Sequence, residues 1–198
     1  MHKGEILMDF SIFNDKKLLI GMSGAISASG ISSYLLYLNN YFKEIRVVMT
    51  PTAEEIIPAS TISYFGYQVY TENGDDNIKH NHMTIGRWAD VYCIIPATAN
   101  IVGQIANGLA MNLLTTTVLA HSHSTILFPT MNELMWQKKV TSRNIEQIRK
   151  DGHVVVDPEE ILAYEVSSGT RKTNRAMISP DKALIKMGEV IQTRERNL

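Results

Sequence analysis

An α/β fold built on a doubly wound parallel sheet is predicted by three observations on the 198-residue chain. Short apolar runs alternate with longer amphipathic stretches; the runs are continuously hydrophobic; no internal repeat or linker interrupts them. Continuous apolar strands are buried on both faces, as in a parallel sheet covered by helices, and their crossovers are right-handed. The length suits one domain with a substantial core. Residues 1–198 are therefore read as a single domain, with residues 1–15 as an N-terminal extension.

Leu18-Leu19-Ile20 is the first strand, opening into the small-residue turn Gly21-Met22-Ser23-Gly24-Ala25-Ile26-Ser27 and a helix from Ser29 to Phe42. The turn is neither a GxGxxG fingerprint nor a P-loop, yet glycines admit close backbone approach and a helix start offers free N–H groups. Ile45-Arg46-Val47-Val48-Met49 is the next strand, ending in Thr50-Pro51-Thr52-Ala53-Glu54-Glu55, where Thr52 and Glu55 have capping-box spacing. Tyr64 to Met83 is polar and turn-rich and carries His80 and His82. No Cys or further His supports a metal site there, so each is an exposed loop histidine or a general base.

Val91-Tyr92-Cys93-Ile94-Ile95 is a strand ending in Pro96-Ala97-Thr98-Ala99-Asn100, and the following helix closes at Asn107-Gly108. Another helix begins at Asn112. Ser124 to Phe128 is a strand that Pro129 stops, and Asn132 stands where a helix starts, with Met135 and Trp136 in its first turn. A helix from Ser142 to Lys150, a strand His153-Val154-Val155-Val156, a mobile Ser/Gly/Lys/Arg-rich segment from Ser167 to Arg175 and a helix from Pro180 to Arg194 complete the chain.

Composition narrows the function. The chain is 44 % hydrophobic and 20 % charged with net charge -1, so no global field draws it to nucleic acid or a membrane surface. No run approaches the ~18 apolar residues that cross a bilayer. The N-terminus, with Glu5, Asp9 and Asp15, is unlike a signal peptide, and the lone Cys93 excludes a disulfide framework. A reducing, cytoplasmic setting is expected.

What ends the strands is the informative feature. Gly-Met-Ser-Gly, Thr-Pro-Thr, Pro-Ala-Thr-Ala-Asn and Pro-Thr-Met-Asn stand at successive carboxyl ends, where open α/β sheets bind ligands. Hydroxyls, amides and small walls there suit a phosphate-bearing planar cofactor; helix capping is the plain alternative at each position.

Pro96-Ala97-Thr98-Ala99-Asn100 resembles the PASANT-type motif, and Pro129-Thr130-Met131-Asn132-Glu133-Leu134-Met135-Trp136 matches PxMNxxMW in full. Both motifs mark the homo-oligomeric flavin-containing cysteine decarboxylases, and the likeness, from about Lys16 to Ile191, is to the lantibiotic peptide decarboxylases of epidermin and mersacidin type. The resemblance implies a Rossmann-like flavoprotein fold, a flavin (FAD, with FMN possible), and a trimer or a dodecamer built of trimers with the flavin between subunits.

It further implies His82 and Asn132 as catalytic residues, His82 moving the thiol proton and Asn132 holding the substrate carboxylate. The expected cofactor shell is Ser23, Gly24, Ser27, Thr50, Thr52, Ala97, Thr98 and Asn100. Asn132, Met135, Ser167, Ser168 and Gly169 are expected to bind the substrate, a precursor peptide ending in cysteine, with residues 165–176 as a mobile clamp loop. No metal is expected.

Two departures stand out. Met111 occupies a position where the wider family often has Asp, and no cysteine follows Cys93, whereas the phosphopantothenoylcysteine decarboxylases reduce an enethiol with a late cysteine. Oxidative decarboxylation of a peptidyl cysteine to an aminoenethiol is thus the expected activity. Phosphopantothenoylcysteine decarboxylation and a non-catalytic flavin-binding role are the alternatives.

Overall fold

The structure, a computed structural model, describes residues 9–74, 81–165 and 169–196. Its strands are β1 Lys17–Met22, β2 Glu44–Met49, β3 Gln68–Tyr70, β4 Val91–Ala97, β5 Ile126–Pro129, β6 Met131–Asn132, β7 Val154–Val155, β8 Glu159–Glu165 and β9 Thr170–Ala176. The helices are α1 Ile31–Leu38, α2 Pro51–Glu54, α3 Ala59–Tyr64, α4 His82–Trp88, α5 Ala99–Ala106, α6 Leu113–Ala120, α7 Glu133–Trp136, α8 Lys139–Lys150 and α9 Pro180–Arg196.

Six strands form one sheet in the order β3-β2-β1-β4-β5-β7, every pairing parallel. Successive side chains of a strand point to opposite faces. Accordingly Leu18, Ile20 and Met22 of β1 and Val91, Cys93 and Ile95 of β4 pack with α1 and α9, while Leu19, Tyr92 and Ile94 pack with α4, α5, α6 and α8. Helices on both faces make the sheet doubly wound. Every residue of β4 is buried, and burial pushes the Cys93 thiol up, so it is an inert core group.

Several expectations are corrected. The helix expected over Ser29 to Phe42 is a 3-10 turn, Ile26–Gly30, followed by α1, which ends at Leu38 because the Asn40 amide donates to the Leu36 and Tyr37 carbonyls. The capping box at Thr52 and Glu55 does not form. Thr50 is the cap of α2, with Pro51 at the first helical position, where its missing N–H costs nothing. Strand β4 runs on to Ala97 and β5 through Pro129, with a register shift between Ile94 and Ala97. Helix α8 starts at Lys139 rather than Ser142, and the polar stretch from Tyr64 to Met83 conceals β3 and the start of α4.

The largest correction concerns the expected clamp loop. Residues 170–176 form a regular strand, β9, paired antiparallel with β8 and with the two-residue strand β6. An antiparallel pair needs no apolar face on both sides, so the charged sequence Thr-Arg-Lys-Thr-Asn-Arg-Ala can still be a strand. Of the N-terminal extension, Phe13 is buried against Phe42. Among the described residues, no helix is long and apolar enough to cross a membrane.

Candidate active site

The small polar residues after β1, β2 and β4 meet because those strands are neighbours in the sheet. Ser23 is buried; its hydroxyl donates to the Pro96 carbonyl (2.8 Å) and accepts the Thr98 N–H (2.9 Å). Ser23 therefore ties the ends of β1 and β4 together. Thr98 in turn caps α5, accepting the Ile101 N–H at 3.4 Å.

Gly24 lies directly on Thr52. A Cβ at Gly24 would stand 2.5 Å from both Cβ and Oγ1 of Thr52, so only glycine permits this approach. The Thr50 and Thr52 hydroxyls are 3.1 Å apart, and the Thr50 hydroxyl accepts the Ala53 N–H. Ala97 places its methyl in the core, and its carbonyl accepts the Thr130 N–H at 3.0 Å. Asn100 lies on the exposed first turn of α5, accepting from Gln104.

Ser27 differs from its neighbours: its Oγ is buried and, among the described residues, has no hydrogen-bond partner. A buried hydroxyl left unpaired costs free energy, so an orphan beside a glycine turn fits a polar group supplied by a ligand. The donor set (hydroxyls and a tight glycine turn at adjoining strand ends) suits a flavin's phosphate and polar ring edge.

Asn132 caps α7, its Oδ1 accepting the Met135 N–H at 2.8 Å. That bond leaves the Nδ2 group as its donor. Beside it, Arg175 grips Glu133 with two bonds, Nε to Oε2 at 2.6 Å and Nη2 to Oε1 at 3.0 Å, and Glu160 approaches the same guanidinium at 3.1 Å. Hydrogen bonding from Arg175 holds the Glu133 carboxyl below the usual carboxylate range. Met135 is exposed, while Trp136 packs against the core.

His82 is the first residue of α4, behind the Asn81 cap that accepts the Met83 and Thr84 N–H groups. A crossover helix leading into a parallel strand starts at the carboxyl side of the sheet, so the topology puts His82 on the same side as the strand ends. Gly86 then seats α4 on the Ala120–His121 backbone, where a Cβ would stand 3.1–3.2 Å from backbone atoms. Among the described residues, no hydrogen bond or ring contact joins His82 to Asn132. His80, Ser167 and Ser168 lie outside the described residues; Gly169 turns from β8 to β9 with φ 64°.

Sequence reading misses the Arg175 clasp, although Glu133 lies in the second motif and Arg175 ends the Ser/Gly/Lys/Arg-rich segment. It also missed Glu72, whose carboxylate accepts the Leu113 N–H at the start of α6. Met111 is exposed, and its N–H donates to the Thr115 hydroxyl. Trp88 lies under the Arg46 guanidinium, 4.1 Å from its ring centre, which marks it as a packing residue. A cleft of about 530 Å³ lined by His123, Ser124, Val154, Glu189, Thr193 and Arg194 holds none of the candidate residues; it lies at the amino ends of β5 and β7.

A profile of the Flavoprotein family matches residues 12–185. Mersacidin decarboxylase of Bacillus sp. (strain HIL-Y85/54728) is 63 % identical over 190 residues, 96 % of this chain and 98 % of that one. A solved structure of an EpiD variant complexed with the substrate peptide DSYTC matches with TM-score 0.80 and 28 % identity, covering 87 % of this chain and 98 % of that one. The FMN-dependent cysteine decarboxylase SpaF matches with TM-score 0.73 and 30 % identity, covering 93 % of this chain and 99 % of its own.

Proposed function

The chain belongs to the Flavoprotein family, and we propose that it decarboxylates the C-terminal cysteine of a lantibiotic-type precursor peptide oxidatively, giving an aminoenethiol. The observation that carries this reading is the 63 % identity to mersacidin decarboxylase over 96 % of the chain. The enzyme is a flavoprotein. When bound, the flavin supplies a two-electron acceptor for the Cβ–S centre, which creates beside the carboxylate the electron sink that CO2 loss needs.

The residues of this chain do the rest. Asn132 is proposed to hold the substrate carboxylate through Nδ2, since its Oδ1 is engaged by Met135. A neutral amide orients a carboxylate without the strong pairing that would favour the charged ground state over the transition state. His82 is proposed to take the thiol proton, a task suited to imidazole near neutral pH. Met135 and Gly169, with Ser167 and Ser168, are proposed to contact the peptide.

Ser27, Thr50, Thr52, Thr98 and Asn100 are proposed to hold the flavin, on a wall shaped by Ser23, Gly24 and Ala97. We propose FAD on the likeness to the mersacidin-type enzyme; SpaF is FMN-dependent, and mass spectrometry of the released flavin decides between the two. A single domain assembled as a trimer or dodecamer is proposed, supported by the exposed apolar side chains of Leu109, Met111 and Leu134. A cytoplasmic setting, which keeps a substrate thiol reduced, completes the proposal. The test is loss of about 46 Da (CO2 plus two hydrogens) from a peptide ending in cysteine, the hydrogens passing to the cofactor.

A further inference from the structure

The hairpin β8–β9 belongs to a sheet separate from the six-stranded one, in the order β6-β9-β8. Among the described residues, its ladder to the core passes through β6, where Met131 pairs with Arg175 and Asn132 with Asn174. So short a ladder does not fix a hairpin of this length by itself. Arg175 adds the missing constraints. Its carbonyl accepts the Thr130 hydroxyl at 3.2 Å, and Thr130 is bonded through its N–H to Ala97 at the end of β4. Its guanidinium holds Glu133, the first residue of α7 and the neighbour of Asn132. At the other strand, Glu159 is paired with Lys182 of α9.

The geometry points to Arg175 as a positioning residue for the peptide substrate: clasped by Glu133 and Glu160, it sets the β9 strand against Asn132. This role rests on the proposed decarboxylation. The pair is unlike an ordinary surface bridge, because the two side chains are only 21 % and 19 % exposed and the contact is two-pronged. Two carboxylates occupy the guanidinium, so its charge is already matched within the protein and the substrate carboxylate is left to Asn132. Gln137 steadies the other side of Glu133 at 2.9 Å.

The test uses the flavin-loaded enzyme and pentapeptides ending in cysteine, randomised at the four preceding positions, with kinetics on the best of them. Arg175→Ala is expected to keep its flavin absorbance and its kcat within about threefold while KM rises about tenfold or more, the pattern of lost uniform binding. Arg175→Lys, which keeps the charge but not the two-pronged contact, is expected to fall between them. A KM within about twofold of wild type, or a fall in kcat at unchanged KM, overturns the role. If Arg175→Ala loses its flavin, Arg175→Lys decides by the same criterion. Wild-type enzyme that binds flavin but turns over no member of the pool overturns the decarboxylase reading itself, and this role with it.

Discussion

The Asn132 side-chain oxygen accepts the Met135 N–H at 2.8 Å, so one face of the amide builds α7 and the other is left to a ligand. Asp caps a helix as well as Asn does. Asn132→Asp is therefore expected to fold and bind flavin normally. It should nonetheless lose about 10²-fold or more in kcat/KM, because a carboxylate replaces a donor where the substrate carboxylate must sit. Flavin absorbance and peptide mass loss check both halves; full turnover would remove Asn132 from the mechanism.

His82→Asn tests the proton-transfer role separately. The side chain stands at the first position of α4 with Asn81 supplying the cap, so the substitution leaves the helix start intact. A loss of about 10²–10⁴-fold in kcat with flavin retained is expected for removal of a general base. Single-turnover mass spectrometry measures it, and an unchanged kcat would assign the proton transfer elsewhere.

Ser27→Ala should act with opposite sign on the two forms of the protein. Its hydroxyl is buried and has no partner among the described residues, so removing it is expected to leave the flavin-free protein as stable or slightly more so. The flavin-loaded form should bind its cofactor more weakly, seen as a higher dissociation constant in a fluorescence titration. Equal flavin affinity would show that the hydroxyl faces no ligand.

Gly24→Ala is expected to cost about 1–3 kcal/mol through overpacking, and to weaken flavin retention, because the new methyl would fall 2.5 Å from Thr52. Thermal unfolding and the flavin-to-protein absorbance ratio read the two effects. Wild-type values for both would mean that the turn yields freely.

Acid sensitivity follows from two histidines at the opposite side of the sheet. Burial lowers the pKa of His121, whose Nδ1 faces the Gly86 carbonyl, and of His153, whose Nδ1 accepts the Thr125 N–H. Both give up their protons more readily in the fold than in the unfolded chain, so the unfolded chain binds more protons and stability rises with pH across this range. The contribution is complete above the unfolded value of about 6.5 and is lost as pH falls from there through the lower folded values. Tm is expected to drop between pH 7 and pH 5, with a shallower slope in His153→Asn, whose side-chain oxygen can still accept from Thr125. A Tm flat across that range would contradict the account.

The parallel sheet was legible because Leu18-Leu19-Ile20, Val91 to Ile95 and Ile126 to Phe128 are continuous apolar runs, and Asn132 because a capping residue after a strand has a local signature. The β8–β9 hairpin was not. Its partners are set by cross-strand pairing of Glu160 with Arg175, which no local pattern encodes, and its charged composition reads as a loop. Thr50 rather than Thr52 became the cap of α2 for a related reason: Pro51 fixes the first helical turn and so decides which residue precedes it. The Ser27 orphan depends on what surrounds the hydroxyl in space, which the chain order of Gly21 to Ser27 does not reveal.

The most direct measurement takes the purified wild-type protein, records its visible spectrum, and follows by mass spectrometry a pool of peptides ending in cysteine. The account predicts a flavin spectrum and a peptide product lighter by about 46 Da, with peptides ending in serine unchanged because they lack the thiol that the cofactor oxidises. A colourless protein that takes up neither FMN nor FAD, or a flavin-loaded one that leaves every cysteine peptide at its starting mass, would contradict it.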